Sequence, residues 1–133
     1  MGGKSYTKGR YAEYYLAKIL MRYGYAVLRA PASGAKAKRF PYPDIIAFLR
    51  GRLLVFEVKR RQRRQTVYLS QDQYRTLKYW ADRGAEAYVA VRYDTEGPDF
   101  FIVPLSCVEH EDGKYRLPVE KVIDCSKKIQ EVV

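Results

Sequence analysis

The chain has 133 residues, a mass of 15.5 kDa, 47% hydrophobic and 30% charged residues, which is one ordinary domain's worth of globular sequence. No repeat, low-complexity stretch or apolar run of about 20 residues interrupts it, so wholesale disorder and a membrane-spanning helix are excluded. The net charge of +10 is lopsided: residues 1–66 hold 16 Lys/Arg and three acids, and residues 67–133 hold 9 Lys/Arg and 12 acids, the footprint of a nucleic-acid binder.

Residues 8–23 have helical spacing, with Ala12, Tyr15, Leu16, Ile19, Leu20 and Tyr23 on one apolar face, Ser5 or Thr7 to cap it and Gly24 to end it. Tyr25–Ala30 reads as a strand and Pro31–Pro43 as a Pro/Gly/Lys-rich loop. Asp44–Leu49 and Arg52–Lys59 are two mostly apolar strands around an Arg50-Gly51 turn, a hairpin of the kind found centrally in a sheet. Arg60–Gln65 is a basic connection. Ser70 and Gln73 match a capping box that opens a helix over 71–83, stopped by Gly84. Ala85–Tyr93 and Phe100–Pro104 are two further strands, and a short helix falls near 119–131. The order α-β-β-β-α-β-β predicts a single α/β domain, residues 1–133, with a mixed sheet of about five strands flanked by helices. The core spans about residues 5–105, and residues 106–133 form a less defined tail.

Two cysteines, Cys107 and Cys125, are too few for a disulfide scaffold or a zinc site and are expected as reduced thiols. The N-terminus lacks the apolar core of a secretion signal, so a cytoplasmic protein is expected. With His110 the one histidine, a His-based metal site or a Ser-His-Asp triad is disfavoured. Chemistry must then rest on carboxylates, lysine, or a metal held by oxygens.

The three acids of the basic half are Glu13, Asp44 and Glu57, and acids on a DNA-facing surface need a reason. Alternation places Glu57 and Lys59 on one side of their strand with Leu53 and Val55, opposite Leu54, Phe56 and Val58. Asp44 opens the partner strand, so Asp44, Glu57 and Lys59 converge at one sheet edge. Two carboxylates there can hold Mg²⁺, whose bound water has a lowered pKa, and the lysine is a point charge for a scissile phosphate. Phosphodiester hydrolysis needs no histidine on this plan.

Pro43-Asp44 followed by Glu57-Val58-Lys59 resembles the PD-(D/E)xK nuclease motif. The segments Lys8–Glu13 (KGRYAE), Val27–Gly34 (VLRAPASG) and Pro43–Ala47 (PDIIA) are similar to the archaeal Holliday junction resolvases, a likeness that runs to about residue 104. The resemblance implies a restriction-endonuclease-like fold and an active site of Glu13, Ser33, Asp44, Glu57 and Lys59, with Glu13, Asp44 and Glu57 toward the metal. It further implies Mg²⁺, with Mn²⁺ as a substitute, no small-molecule cofactor, no membrane, a four-way DNA junction as substrate at the nucleoid, and a homodimer that nicks two opposed strands. Gln73 aligns with a glutamine of the family and serves equally well as a capping residue.

Lys8, Arg10, Arg29, Lys36, Lys38, Arg39, Arg60, Arg61, Arg63 and Arg64 bracket the site as candidate phosphate contacts, which position a protein without reading sequence. Tyr42 and Tyr68 are candidates for stacking on DNA. The less basic strands at 85–104, with Tyr88, Val89, Val91, Phe100, Phe101 and Ile102, are the expected dimer surface. The competing functions are another PD-(D/E)xK nuclease acting on duplex DNA and a non-catalytic nucleic-acid-binding protein on the same scaffold.

Overall fold

The computed structural model describes the backbone of residues 2–30 and 41–133, with side chains from residue 11 onward. Ser33, Lys36, Lys38 and Arg39 lie outside the described residues, as do the side chains of Lys8 and Arg10, whose backbone is helical. Helix α1 (Gly2–Arg22) is longer than the apolar spacing predicts. Ala12, Leu16, Ala17 and Leu20 give it a fully buried face, each large side chain stabilising the fold by about 1.5–3 kcal/mol. Gly24, at φ 94°, turns the chain out of the helix.

Strands β1 (Ala26–Arg29), β2 (Ile45–Leu49) and β3 (Arg52–Arg61) form an antiparallel meander. The β2–β3 turn has φ 47° at Arg50 and φ 87° at Gly51. Two consecutive positive φ values make the turn whose twist matches a two-residue hairpin. Strand β5 (Glu86–Tyr93) then lies parallel to β3, and β6 (Phe101–Pro104) antiparallel to β5. The sheet order is β1-β2-β3-β5-β6, a mixed five-stranded sheet as expected.

Helix α2 (Gln71–Asp82) carries the predicted capping box: Ser70 Oγ accepts from the Gln73 N–H at 3.0 Å, and Gln73 Oε1 accepts from the Ser70 N–H at 2.9 Å. It packs on β3 and β5, on the sheet face opposite α1. Leu54, Phe56 and Ala90 join the α1 side of the core, whereas Val55, Val89 and Val91 join the α2 side.

Several expectations need correcting. Arg60 and Arg61 belong to β3 rather than to a connection, because their backbone continues the parallel pairing, opposite Arg92 and Tyr93. Residues after 105 are not a loose tail. Strands β4 (Val67–Leu69), β7 (Glu109–Glu111) and β8 (Lys114–Leu117) form a second sheet, ordered β4-β8-β7, and bury Val67, Leu69 and Leu117. The helix near 119–131 is two helices, α3 (Val119–Cys125) and α4 (Ile129–Val132). Lys127 interrupts them by exchanging two 2.9 Å backbone hydrogen bonds with Ile102. Finally, β5 and β6 offer no broad free apolar surface, since Val89, Val91 and Ile102 are fully buried and Phe100 is 5% exposed.

The uncovered apolar surface lies elsewhere. Leu28 pairs with Ile46, and Phe48 with both Ala26 and Leu53, so these residues share the α2 side of the sheet. Within this sheet α2 packs mainly on β3 and β5, and Leu28 stays 62% and Phe48 51% exposed.

Candidate active site

The hairpin register pairs Ile45 with Phe56, which sets Asp44 opposite Glu57. The Val58 N–H donates to Asp44 Oδ2 at 2.8 Å, and the Asp44 carbonyl accepts from the Ala30 N–H at 3.0 Å. Asp44 is thereby held by backbone on both sides. Glu57 points to the α2 side with Val55 and is 6% exposed, the one buried charged residue among those described. Burial pushes its carboxyl well above the usual range. The neighbouring Asp44 charge, and a hydrogen bond between the two carboxyl groups that favours the protonated form, push the same way. Lys59 partly offsets this, while the charge of Glu13 on α1 adds a smaller repulsion.

Lys59 Nζ donates to Gln73 Oε1 at 2.8 Å. That oxygen also accepts from the Ser70 N–H, so the capping box and the positioning of Lys59 are one device. The capping role of Gln73 is therefore present, and the same oxygen also contacts Lys59. Burial lowers the proton affinity of Lys59; the Glu57 charge opposes this, and Arg61, two residues on along the same strand face, lowers it further.

The other basic candidates scatter. Arg29 ends β1, with Cζ 5.7 Å from the Tyr14 ring centroid. Arg60 faces the α1 side and pairs through Nε with Asp94 at 2.7 Å, and Arg64 pairs with Glu96 at 2.8 Å. Arg61 Nη1 donates to the Arg60 carbonyl at 2.8 Å, and Arg63 is exposed in the turn that follows. Tyr42 and Tyr68 are 42% and 48% exposed, the latter on the small sheet. Sequence reasoning missed Arg61's action on Lys59 and the Val58 N–H that fixes Asp44. Strand alternation beyond Lys59 was the signal for the first, and the one-residue offset of Asp44 from β2 was the signal for the second.

An aspartate at the head of one strand and Glu-x-Lys on its hairpin partner, on a mixed sheet between helices, define a nuclease scaffold of the PD-(D/E)xK class. Within that class the chain belongs to the archaeal Holliday junction resolvase (Hjc) family, whose sequence model matches residues 4–133. The chain is 34% identical over 127 residues to the crossover junction endodeoxyribonuclease Hjc of Archaeoglobus fulgidus, spanning 95% of this chain and 89% of that one. It is 38% identical over 87 residues to the enzyme of that name from Sulfurisphaera tokodaii. That match covers 65% of this chain and 60% of the relative's length. The crystal structure of Archaeoglobus fulgidus Hjc, a Holliday junction resolvase, superposes with a TM-score of 0.79 at 31% identity, covering 93% of this chain and 98% of that one.

Proposed function

We propose that this protein is a metal-dependent endonuclease that resolves four-way DNA junctions by paired hydrolytic nicks, acting on chromosomal DNA in the cytoplasm. The observation that carries the reading is the Asp44–Glu57 carboxylate pair beside a lysine oriented by Gln73. The donor set fits a hard cation such as Mg²⁺ or Mn²⁺. Two carboxylates held together raise the proton affinity of Glu57, and a dication relieves the same repulsion that a proton relieves. Asp44 and Glu57 are the residues to hold it. Among the described residues no three acidic, His or Cys side chains are gathered closely enough to do so unaided. Glu13, whose charge also acts on Glu57, is the third carboxylate that the family resemblance directs toward the metal. Such a cation, when bound, supplies a water of lowered pKa and positive charge for the leaving oxygen.

The chain's own residues do the rest. Lys59, fixed by Gln73, places a positive charge where the attacked phosphate develops negative charge. Burial lowers the proton affinity of Lys59, Glu57 works against that, and Arg61 adds to the lowering, so the ammonium gives up a proton more readily than a solvated one. Ser33, in the family's loop serine position, is a further candidate at the scissile phosphate. Two opposed nicks call for two such sites related by a two-fold axis, and an isologous homodimer through the exposed Leu28–Phe48 face supplies them.

The test is cleavage of a synthetic four-way junction and a linear duplex of matched sequence, with Mg²⁺, Mn²⁺ or chelator. Junction-selective, metal-dependent paired nicks that vanish in Asp44→Asn support the reading. Equal cutting of duplex favours a general duplex nuclease, and tight junction binding without cutting under either metal refutes catalysis. Light scattering should give about 31 kDa, twice the 15.5 kDa chain, and Phe48→Glu should give a monomer. A monomeric wild type at micromolar concentration refutes the dimer.

A further inference from the structure

A flank of α1 that does not include Glu13 closes a cavity of about 540 Å³ against the ends of β3 and β5, on the opposite sheet face from Glu57 and Lys59. Helical spacing brings Tyr11, Tyr15, Lys18 and Arg22 onto that flank. Tyr14 overhangs it, with Lys18 Nζ 5.4 Å from the ring centroid. From the sheet, the register partners Arg60 and Arg92 project to the same side. Arg92 sits 5.6 Å from the Tyr15 centroid.

Four cations and three tyrosines thus share one groove. Arg60 is offset by Asp94. Among the described residues Lys18, Arg22 and Arg92 have no ion-pair partner, and the Nε of Arg92 is shielded from solvent with no hydrogen-bond partner. A buried donor left unpaired calls for an acceptor. Tyr11, Tyr14 and Tyr15 are 63%, 49% and 40% exposed; cations already lie near the Tyr14 and Tyr15 rings, and Tyr11 offers the most accessible surface to a ligand.

We infer that this groove takes one unstacked nucleotide of a DNA strand, its base against the tyrosines and its phosphate on Arg92, Lys18 and Arg22. A free inorganic anion would use the cations and leave the rings idle. A base uses both, because any base stacks on an aromatic face and arginine adds cation–π attraction. The volume falls within the roughly 300–1,000 Å³ of small-ligand sites. Lys59 and Arg60 are consecutive and face opposite sides of the sheet, so a strand that rounds the C-terminal end of β3 can engage the groove on one side and the carboxylates on the other. DNA as the ligand rests on the proposed nuclease reading, but the test of the groove needs no cleavage.

A ten-nucleotide single strand bearing 5-iodouracil is irradiated with the full-length protein, and the cross-linked tryptic peptides are identified. Cross-links should fall in the segment 11–18. Tyr11→Leu with Tyr14→Leu should weaken single-strand binding about 100-fold, ten-fold for each ring, equal to about 1.4 kcal/mol apiece. Arg92→Gln should weaken it about ten-fold, and neither variant should weaken blunt-duplex binding as much. Cross-links confined to Tyr42 or Tyr68, unchanged affinity, or equal losses on duplex would each overturn the inference. Junction nicking by the wild type is measured in parallel. Nicking without cross-links at 11–18 sinks the groove alone, whereas cross-links there without nicking keep the groove and sink the nuclease reading.

Discussion

Glu57→Gln should make the metal-free protein more stable while abolishing its cleavage. Glu57 is 6% exposed and faces Asp44 across the hairpin. Its proton affinity is raised first by burial and then by that neighbour. Glutamine keeps the shape, removes the charge, and offers an N–H to the Asp44 carboxylate where the wild type must share a proton. A buried charged group without full compensation costs about 1–3 kcal/mol. At this chain length each 1 kcal/mol moves Tm by roughly 3–5 °C, so the variant should melt about 3–15 °C higher at pH 8 in chelator. The sign follows from linkage. The folded-state pKa of Glu57 lies above its unfolded value, near the 4.5 of a free glutamate, so wild-type stability falls as pH rises through the folded pKa. Glutamine does not titrate there, and its advantage should shrink as pH falls toward 4.5. Calorimetric melts at pH 5, 6.5 and 8 measure this. A variant less stable than wild type at pH 8, or a difference indifferent to pH, would refute the picture of a strained carboxylate pair.

Replacing Arg60, Arg61, Arg63 and Arg64 together by Ala should lower the salt slope of junction binding by about 1.8 rather than 3.6, at about 0.9 per lost phosphate contact, because Arg60 and Arg64 are already paired with Asp94 and Glu96. A salt titration by anisotropy measures it. Arg52 Nη2 donates to the Val132 carbonyl at 2.8 Å and to Glu86 at 2.8 Å, so Arg52→Ala should cost about 1–2 kcal/mol in denaturant melts. The Arg52 hydrogen bond lowers the Glu86 pKa below 4.5. That part of the loss is therefore present above pH 4.5 and should fade as pH falls through the depressed value. Gln73→Ala should remove both the cap and the acceptor of Lys59, lowering stability by about 1 kcal/mol and lowering kcat with little change in KM. Gln73→Glu should restore the stability more fully than the turnover.

The sheet's centre was legible because its signals are local. Arg50-Gly51 selects a tight hairpin, Ser70 and Gln73 satisfy each other within one helical turn, and strand alternation separates Glu57 and Lys59 from Phe56 and Val58. Those few rules suffice to bring Asp44, Glu57 and Lys59 to one place. The second sheet was not legible, since three- and four-residue strands are too short to show a period and β4 finds its partner some fifty residues away. Likewise, the break between α3 and α4 is made by Lys127 pairing with Ile102, a contact no local pattern encodes. The burial of β5 within the domain was readable as well. Val89-Ala90-Val91 is apolar without alternation, and such a run marks a strand covered on both faces.

The pairing of β3 with β5 explains why so much of the charge collects where it does. It is the one parallel pair in the sheet, so both strands deliver their C-terminal ends to the same edge. Ligands of open α/β sheets gather at that edge, outside the carboxyl ends of the strands. Here the register sets Lys59 beside Val91, Arg60 beside Arg92, and Arg61 beside Tyr93. Alternation then divides β3: Glu57, Lys59 and Arg61 turn toward α2, where Gln73 waits, and Arg60 turns toward the tyrosines of α1. An antiparallel β5 would bring the start of that strand here instead, and Arg92 would lie at the far edge. The five-residue stretch from Glu57 to Arg61 therefore contributes to two surfaces at once, the proposed hydrolytic site on one face and the proposed strand-binding groove on the other, because a single strand carries both and its period is two.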